Sequence, residues 1–211
     1  MLNLLSGFGV DEAVIFDLSA SKNERVDCYM LEALRCVADY PLTYGGGIVD
    51  ASVGKWVMKE GWDKLLLNGK IEERWKLATV LSQVYGRQAI AMSIDYNEEL
   101  NERSITLDSR EKVKLSCLLQ RLPLADICEL LLTSSRRVGK SIGLDNSILV
   151  HKMWEGVRNP LILSGGCRDM CDIADANKID KYKMLSGVAI SRCMFMQSND
   201  NSALVCQERW R

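Results

Sequence analysis

Apolar and polar positions along this chain fall into two alternating patterns. Short runs rich in leucine and β-branched residues each end on a small or polar residue. They are AVIFDLS (13–19), PLTYGGG (41–47), KLLLNG (64–69), QAIAMSID (88–95), ICELLLTSS (127–135), PLILSGG (160–166) and SGVAIS (186–191). Between them lie RVDCYMLEALRCVADY (25–40) and IEERWKLATVLSQVYG (71–86), where apolar residues return every three or four positions. That is the period of a helix with one buried face. Continuous apolar strands alternating with amphipathic helices predict a parallel sheet covered by helices. Seven such units, with three prolines in the whole chain and no linker-like stretch, predict a single α/β domain over 1–211. Its expected class is an incomplete (βα)8 TIM-barrel type with seven parallel strands.

An internal repeat sharpens this expectation. PLTYGGG at residue 41 aligns with PLILSGG at residue 160, an offset of 119. DEAVIFDLS at residue 11 aligns loosely with CELLLTSS at residue 128, an offset of 117. Two half-barrels of four βα units each would give such a doubling, whereas a doubly wound sheet has no reason to repeat one Gly-rich turn at distant strands.

Composition excludes several function classes. Twenty-seven basic residues against twenty-eight acidic ones leave a net charge of −1, which implies no nucleic-acid partner. The longest apolar run is short of the ~18 residues that span a bilayer, and the start lacks the basic region of a signal peptide. A cytoplasmic chain without a membrane partner is expected. Eight cysteines (Cys28, Cys36, Cys117, Cys128, Cys167, Cys171, Cys193 and Cys206) include no CxxC pair, and His151 is the sole histidine, so no metal site is implied. The thiols are expected to be reduced and to serve as small hydrophobes. His151, in the helical-looking stretch DNSILVHKMWEGV, is expected to be a surface or packing residue.

In a barrel of this type the functional groups sit at the carboxyl ends of the strands. Those ends carry Asp17, Gly45-Gly46-Gly47, Asn68, Asp95, Thr133-Ser134, Gly165-Gly166 and Ser191. Glycines let backbone N–H groups approach an anion, and hydroxyls complete such a cradle. Two Gly-rich turns at equivalent places of a repeat predict binding of a substrate with a phosphate at each end. Asp95 closes an apolar run, where a carboxylate is placed for acid–base work. Its bland alternative is a capping or solvated aspartate, and Asp17 shares that ambiguity.

Taken in order, VIFDLSAS, PLTYGGGI, DKLLLN, QAIAMSID, ELLLTS and ILSGG resemble the cyclase subunit of imidazole glycerol phosphate synthase, a histidine-biosynthesis barrel family. The resemblance runs from about residue 4 to 195. It implies a lyase that closes an imidazole ring on a bis-phosphorylated ribulosyl aminoimidazole carboxamide substrate. The ammonia would come from a glutaminase subunit docked at the amino-terminal face of the barrel, and no cofactor is implied. By motif, Asp95 matches the family's acid–base aspartate of the fifth strand. Gly45, Gly46, Gly47 and Asn68 match one phosphate site; Thr133, Gly139, Gly166 and Ser191 match the other. Glu12, Lys64 and Glu129 match residues of the ammonia gate, and Asp63 matches an acid that helps hold the glutaminase.

Two departures bear on activity. The matched motifs begin after the family's first strand, CLDVKDG, which carries the second catalytic aspartate. After the sixth strand the family reads TSIDRDGTKSGYD where this chain reads TSSRRVGKSIGLD, so that Arg136 and Val138 stand in place of two aspartates. Acid–base catalysis of a cyclisation calls for paired groups, so impaired turnover is expected. Two other readings stay open: a cyclase-like subunit of an amidotransferase that modifies surface-polysaccharide sugars, and a non-catalytic glutaminase-binding or decayed copy.

Overall fold

In a computed structural model of the chain, the described residues are 10–23, 25–36, 38–99 and 102–190. They divide into two compact units. The first runs to Met92 and takes in Pro123–Cys128; the second holds Ser93–Leu122 and resumes at Glu129.

In the first unit, β1 (Ala13–Phe16) is followed by helices α1 (Leu18–Asn23) and α2 (Cys28–Arg35), then β2 (Leu42–Gly45), α3 (Ala51–Lys59), β3 (Lys64–Asn68) and α4 (Glu72–Tyr85). β1 and β2 pair in parallel from Ala13↔Leu42 to Phe16↔Gly45, and β2 pairs in parallel with β3 from Thr43↔Lys64 to Gly45↔Leu66. All four residues of β2 are buried, as are Leu65, Leu66 and Leu67 of β3, which is why these strands read as unbroken apolar runs. α4 buries Leu77, Ala78 and Leu81 on one face and carries Glu72 and Glu73 in its first turn, where acids suit the helix dipole. α3 lies close beside it because Gly54 has no side chain: a Cβ there would stand 2.9 Å from Leu81 Cδ1. The Tyr44 and Trp62 rings meet edge to face at 5.1 Å.

β4 (Ile90–Glu99) starts in the first unit and continues in the second. There it leads into β5 (Glu102–Thr106) and β6 (Lys112–Lys114), both antiparallel, and then into the short α5 (Leu115–Leu119). β7 (Glu129–Ser134), β8 (Leu161–Ser164), α6 (Met170–Ile179) and β9 (Leu185–Ala189) complete the unit. β7 pairs in parallel with β8 from Leu130↔Leu161 to Thr133↔Ser164, and β8 pairs in parallel with β9.

The class is the predicted one: α/β, with seven parallel strands of the incomplete (βα)8 type, one strand in each of the seven apolar runs. Three local expectations are corrected. QAIAMSID does not end at Asp95; its strand continues to Glu99, where β5 pairs antiparallel with it and β6 with β5. DNSILVHKMWEGV is not an α-helix but two 3₁₀ turns, Asn146–Val150 and Lys152–Trp154. His151 sits exposed between them, its Nδ1 accepting the Met153 N–H at 3.1 Å. The thiols described as free are not mainly core residues: Cys167 is buried, while Cys36, Cys117 and Cys171 are exposed. Among the described residues no helix is long and apolar enough to cross a membrane.

Candidate active site

At the carboxyl end of β1, Asp17 is 8% exposed and accepts the Ala20 N–H at 2.7 Å and the Tyr44 hydroxyl at 3.1 Å. Its carboxylate thus caps α1 while tying it to β2. Burial, and next the Asp17 carboxylate, push the Tyr44 phenol above its ordinary pKa. The Asp17 N–H donates to Gly45 O at 2.8 Å, and its carbonyl accepts from Ser21 N and Ser21 Oγ. The Gly-rich turn folds directly over this loop. A Cβ on Gly46 would stand 2.3 Å from the Asp17 carbonyl oxygen, and one on Gly47 2.8 Å from Ala20 Cβ. Glycine is therefore required by the approach of backbone to backbone, whatever else the turn binds. At the end of β3, Asn68 is exposed and its Oδ1 accepts the Lys70 N–H at 3.0 Å.

The second unit repeats the construction. Ser134, 1% exposed, falls on Asp17 at the offset of 117. Arg137 N donates to Ser134 Oγ as Ala20 N does to Asp17, and Val138 N donates to Ser134 O as Ser21 N does to Asp17 O. The Gly165-Gly166 turn folds over that loop: a Cβ on Gly165 would lie 3.0 Å from Ser134 O, and one on Gly166 2.4 Å from Gly143 O. Each turn then leads to a helix capped by aspartate. Asp50 accepts from Ser52 N and Val53 N, and Asp169 from Cys171 N and Asp172 N. Residues 50 and 169 stand at the offset of 119, so carrying the repeat three residues past the glycines finds both caps. Because these aspartates occupy the first helical amides, an anion would have to use the turns themselves.

Thr133 is half-buried opposite Ser164, and Gly139 is exposed with φ +71°. Ser191 lies outside the described residues. Asp95 is half-buried, and the alternation of β4 places it with Ser93 and Asn97, while Ile94, Tyr96 and Glu98 point to the other face. Sequence reasoning missed what that second face does. Glu98 accepts the Ser134 hydroxyl and, from one edge of the Arg137 guanidinium, Nε and Nη2 at 2.7 and 3.0 Å. Burial raises its pKa, but the hydrogen bonds from Arg137 and Ser134 outweigh that and hold it below the ordinary glutamate value. Beside it, Asp145 is 4% exposed and accepts from Tyr96 Oη at 3.1 Å and from Arg103 at 2.8 to 3.1 Å. Arg136 and Val138, the two departures from the family loop, are both exposed.

At the amino ends of the first unit's strands, Lys64 Nζ donates to Glu12 Oε2 at 2.7 Å, and the buried Thr43 hydroxyl donates to the other Glu12 oxygen. The register Thr43↔Lys64 makes the cluster possible, since both side chains leave neighbouring strands at one level. Asp63, exposed, holds the start of β2 by accepting Leu42 N at 2.9 Å. The structure thus joins Glu12 and Lys64 and seats Asp63 next to them in sequence. Glu129 begins β7 in the second unit, half-buried.

Set against known families, the one described as "Histidine biosynthesis protein" matches residues 2–198. The chain belongs to that family. This chain is similar to the imidazole glycerol phosphate synthase subunit HisF of Alkaliphilus metalliredigens, at 30% identity over 175 residues, 80% of this chain and 68% of the relative. It is 32% identical over 185 residues to the HisF subunit of Exiguobacterium sp., covering 84% of this chain and 71% of that one. The HisF subunit of Chlorobium limicola is 31% identical over 173 residues, 78% and 67% of the respective chains.

Proposed function

We propose that this member of the histidine biosynthesis family is a cyclase of the imidazole glycerol phosphate synthase type. Its substrate is a ribulosyl aminoimidazole carboxamide with a phosphate at each end, and its ammonia comes from a glutaminase subunit. The observation that carries this reading is the doubled Gly-rich turn, built twice with the same loop, close approach and capping aspartate in a chain of this family. Gly45, Gly46, Gly47 and Asn68 would take one phosphate; Thr133, Gly139, Gly165, Gly166 and Ser191 would take the other. Ser134 serves the second cradle indirectly, because its O–H donates to Glu98 and its Oγ accepts from Arg137. Asp17 likewise shapes the first cradle from below.

Asp95 is the group that moves a proton during ring closure. Its half-buried place on β4 supports that role, since the carboxylate is fixed on a strand yet open enough to exchange a proton with a bound ligand. By the family resemblance the Lys64–Glu12 pair would serve ammonia entry, as would Glu129, and Asp63 would help to hold the glutaminase. With Arg136 and Val138 in place of two carboxylates of the family loop, slowed turnover is expected.

The test is ammonia-driven product formation by the intact chain and by Asp95→Asn, with high ammonium replacing the glutaminase. Slow formation of imidazole glycerol phosphate, abolished by Asp95→Asn, is expected. Equal turnover by the variant would remove Asp95 from the chemistry. No product from the wild-type chain, with phosphate still raising its melting temperature, would refute the histidine-pathway reaction and favour the sugar-modifying amidotransferase reading.

A further inference from the structure

The Glu98–Arg137 pair has no place in the chemistry above, yet it fixes the loop on which the second Gly-rich turn rests. Arg137 Nε and Nη2 grip the two Glu98 oxygens, while Nη1 donates to Gly143 O at 3.1 Å and Leu144 O at 3.2 Å. Gly143 N in turn donates to Gly166 O at 2.8 Å. The turn is pressed onto the same residues: a Cβ on Gly166 would stand 2.9 Å from Arg137 Cβ and 2.4 Å from Gly143 O. Ser134 closes the ring of bonds from the other side, donating to Glu98 and accepting the Arg137 N–H. Both charged side chains are largely withdrawn from water, at 24% and 10% exposure. A planar fork with fixed donors holds such a geometry, and a lysine in its place does not.

We infer that Arg137, held by Glu98, is a positioning residue for the Gly165-Gly166 turn: it sets the turn's amides for an anion without touching the anion itself. Four of the five guanidinium N–H donors are already engaged by protein, so Arg137 is oriented by the loop and has little left to offer a ligand. The inference rests on the reading of this turn as an anion cradle, and it adds a residue that acts through the loop.

The two roles open to Arg137 predict opposite signs. If it acted by charge on the ligand, Arg137→Lys would leave anion affinity unchanged, and Glu98→Gln, by removing a negative charge, would tighten binding. If it positions the turn, both substitutions weaken binding. The double variant is then no weaker than either single one, because either change opens the same fork. The loss expected is about tenfold, the size of coupling seen within one hydrogen-bond network. Ser134→Ala, which leaves the fork in place, should lose less.

The probe is inorganic sulfate, which keeps its charge near neutral pH, titrated into the intact chain at constant ionic strength. The amide resonances of Gly165 and Gly166 are followed by NMR, and thermal melts confirm that each variant is folded. Equal affinities for wild type, Arg137→Lys and Glu98→Gln, or tighter binding by Glu98→Gln, would overturn the positioning role and leave the cradle standing. No response of these amides in the wild-type chain would overturn the cradle, and the positioning role with it.

Discussion

Replacing Gly46 with alanine tests how much of the fold hangs on backbone approaching backbone at the first Gly-rich turn. The residue has φ +132°, a conformation that L side chains rarely adopt, and holding alanine there costs about 1–3 kcal/mol. The new Cβ would also lie 2.3 Å from the Asp17 carbonyl oxygen. That oxygen cannot swing away cheaply, because it accepts from both the N–H and the hydroxyl of Ser21 at 2.9 and 2.8 Å. Relieving the overlap by shifting backbone adds about 1–3 kcal/mol. The sum, about 4 kcal/mol, is a large part of the ~5–15 kcal/mol that holds a typical domain folded. Two other glycines separate the contributions. Gly156 has φ +87° and nothing within 4 Å of its missing Cβ, so Gly156→Ala should show the backbone strain alone, about 1–2 kcal/mol. Gly187 in β9 needs no positive φ and also has open space, so Gly187→Ala should be neutral or stabilise by up to ~1 kcal/mol. Urea denaturation of the three variants, with midpoints compared at constant slope, measures the series. A Gly46→Ala midpoint no lower than that of Gly156→Ala would show that the Asp17 carbonyl does not confine the turn.

Arg103→Met would leave the buried Asp145 carboxylate without its cation, and a loss of about 3 kcal/mol in urea denaturation is expected; a loss under ~1 kcal/mol would show that water reaches Asp145. Burial, then the Asp145 carboxylate, raise the Tyr96 pKa above its ordinary value of 10.0, so the stability from keeping that phenol neutral is present below about pH 10 and lost as pH rises beyond it. Tyr96→Phe should therefore flatten the alkaline fall of the melting temperature, and an unchanged alkaline limb would contradict the burial. Glu98 has a lowered pKa, so its contribution is present above its ordinary value of 4.5 and fades as pH falls below it; Glu98→Gln should flatten the acid limb of the same profile.

All seven parallel strands were legible as apolar runs, most plainly β2 and β3, whose centres are fully buried and write themselves as stretches such as KLLLN. The β5–β6 hairpin was not. Its loop places Arg110 at φ +67°, where a glycine would have announced the turn, and the ion pairs Glu102–Lys114 within it and Lys112 to Glu99 of β4 look like scattered charge until the strands are paired. The stretch around His151 has helix-like spacing of apolar residues. There, however, Trp154 folds inward and donates its indole N–H to Ile148 O at 2.8 Å, which closes the segment into 3₁₀ turns. At the candidate site the Gly-rich turns were visible as residues. What they press against was not, because Asp17 and Gly143 reach them through backbone atoms that every residue type shares. The Glu98–Arg137 pair lay hidden for a related reason: the two residues are 39 positions apart, and no local pattern links them.

The doubled turn also has a polarity. Where the first copy sets a carboxylate, Asp17, beneath its glycines, the second sets a hydroxyl, Ser134, whose neighbouring Glu98 is matched by Arg137. The two turns share a backbone plan but differ in the charge of the residue that shapes them. If each takes an anion as proposed, the anion is repelled less above Ser134 than above Asp17. Duplication followed by one exchange of a cap is thus enough to give two loops of one backbone plan unlike electrostatic character.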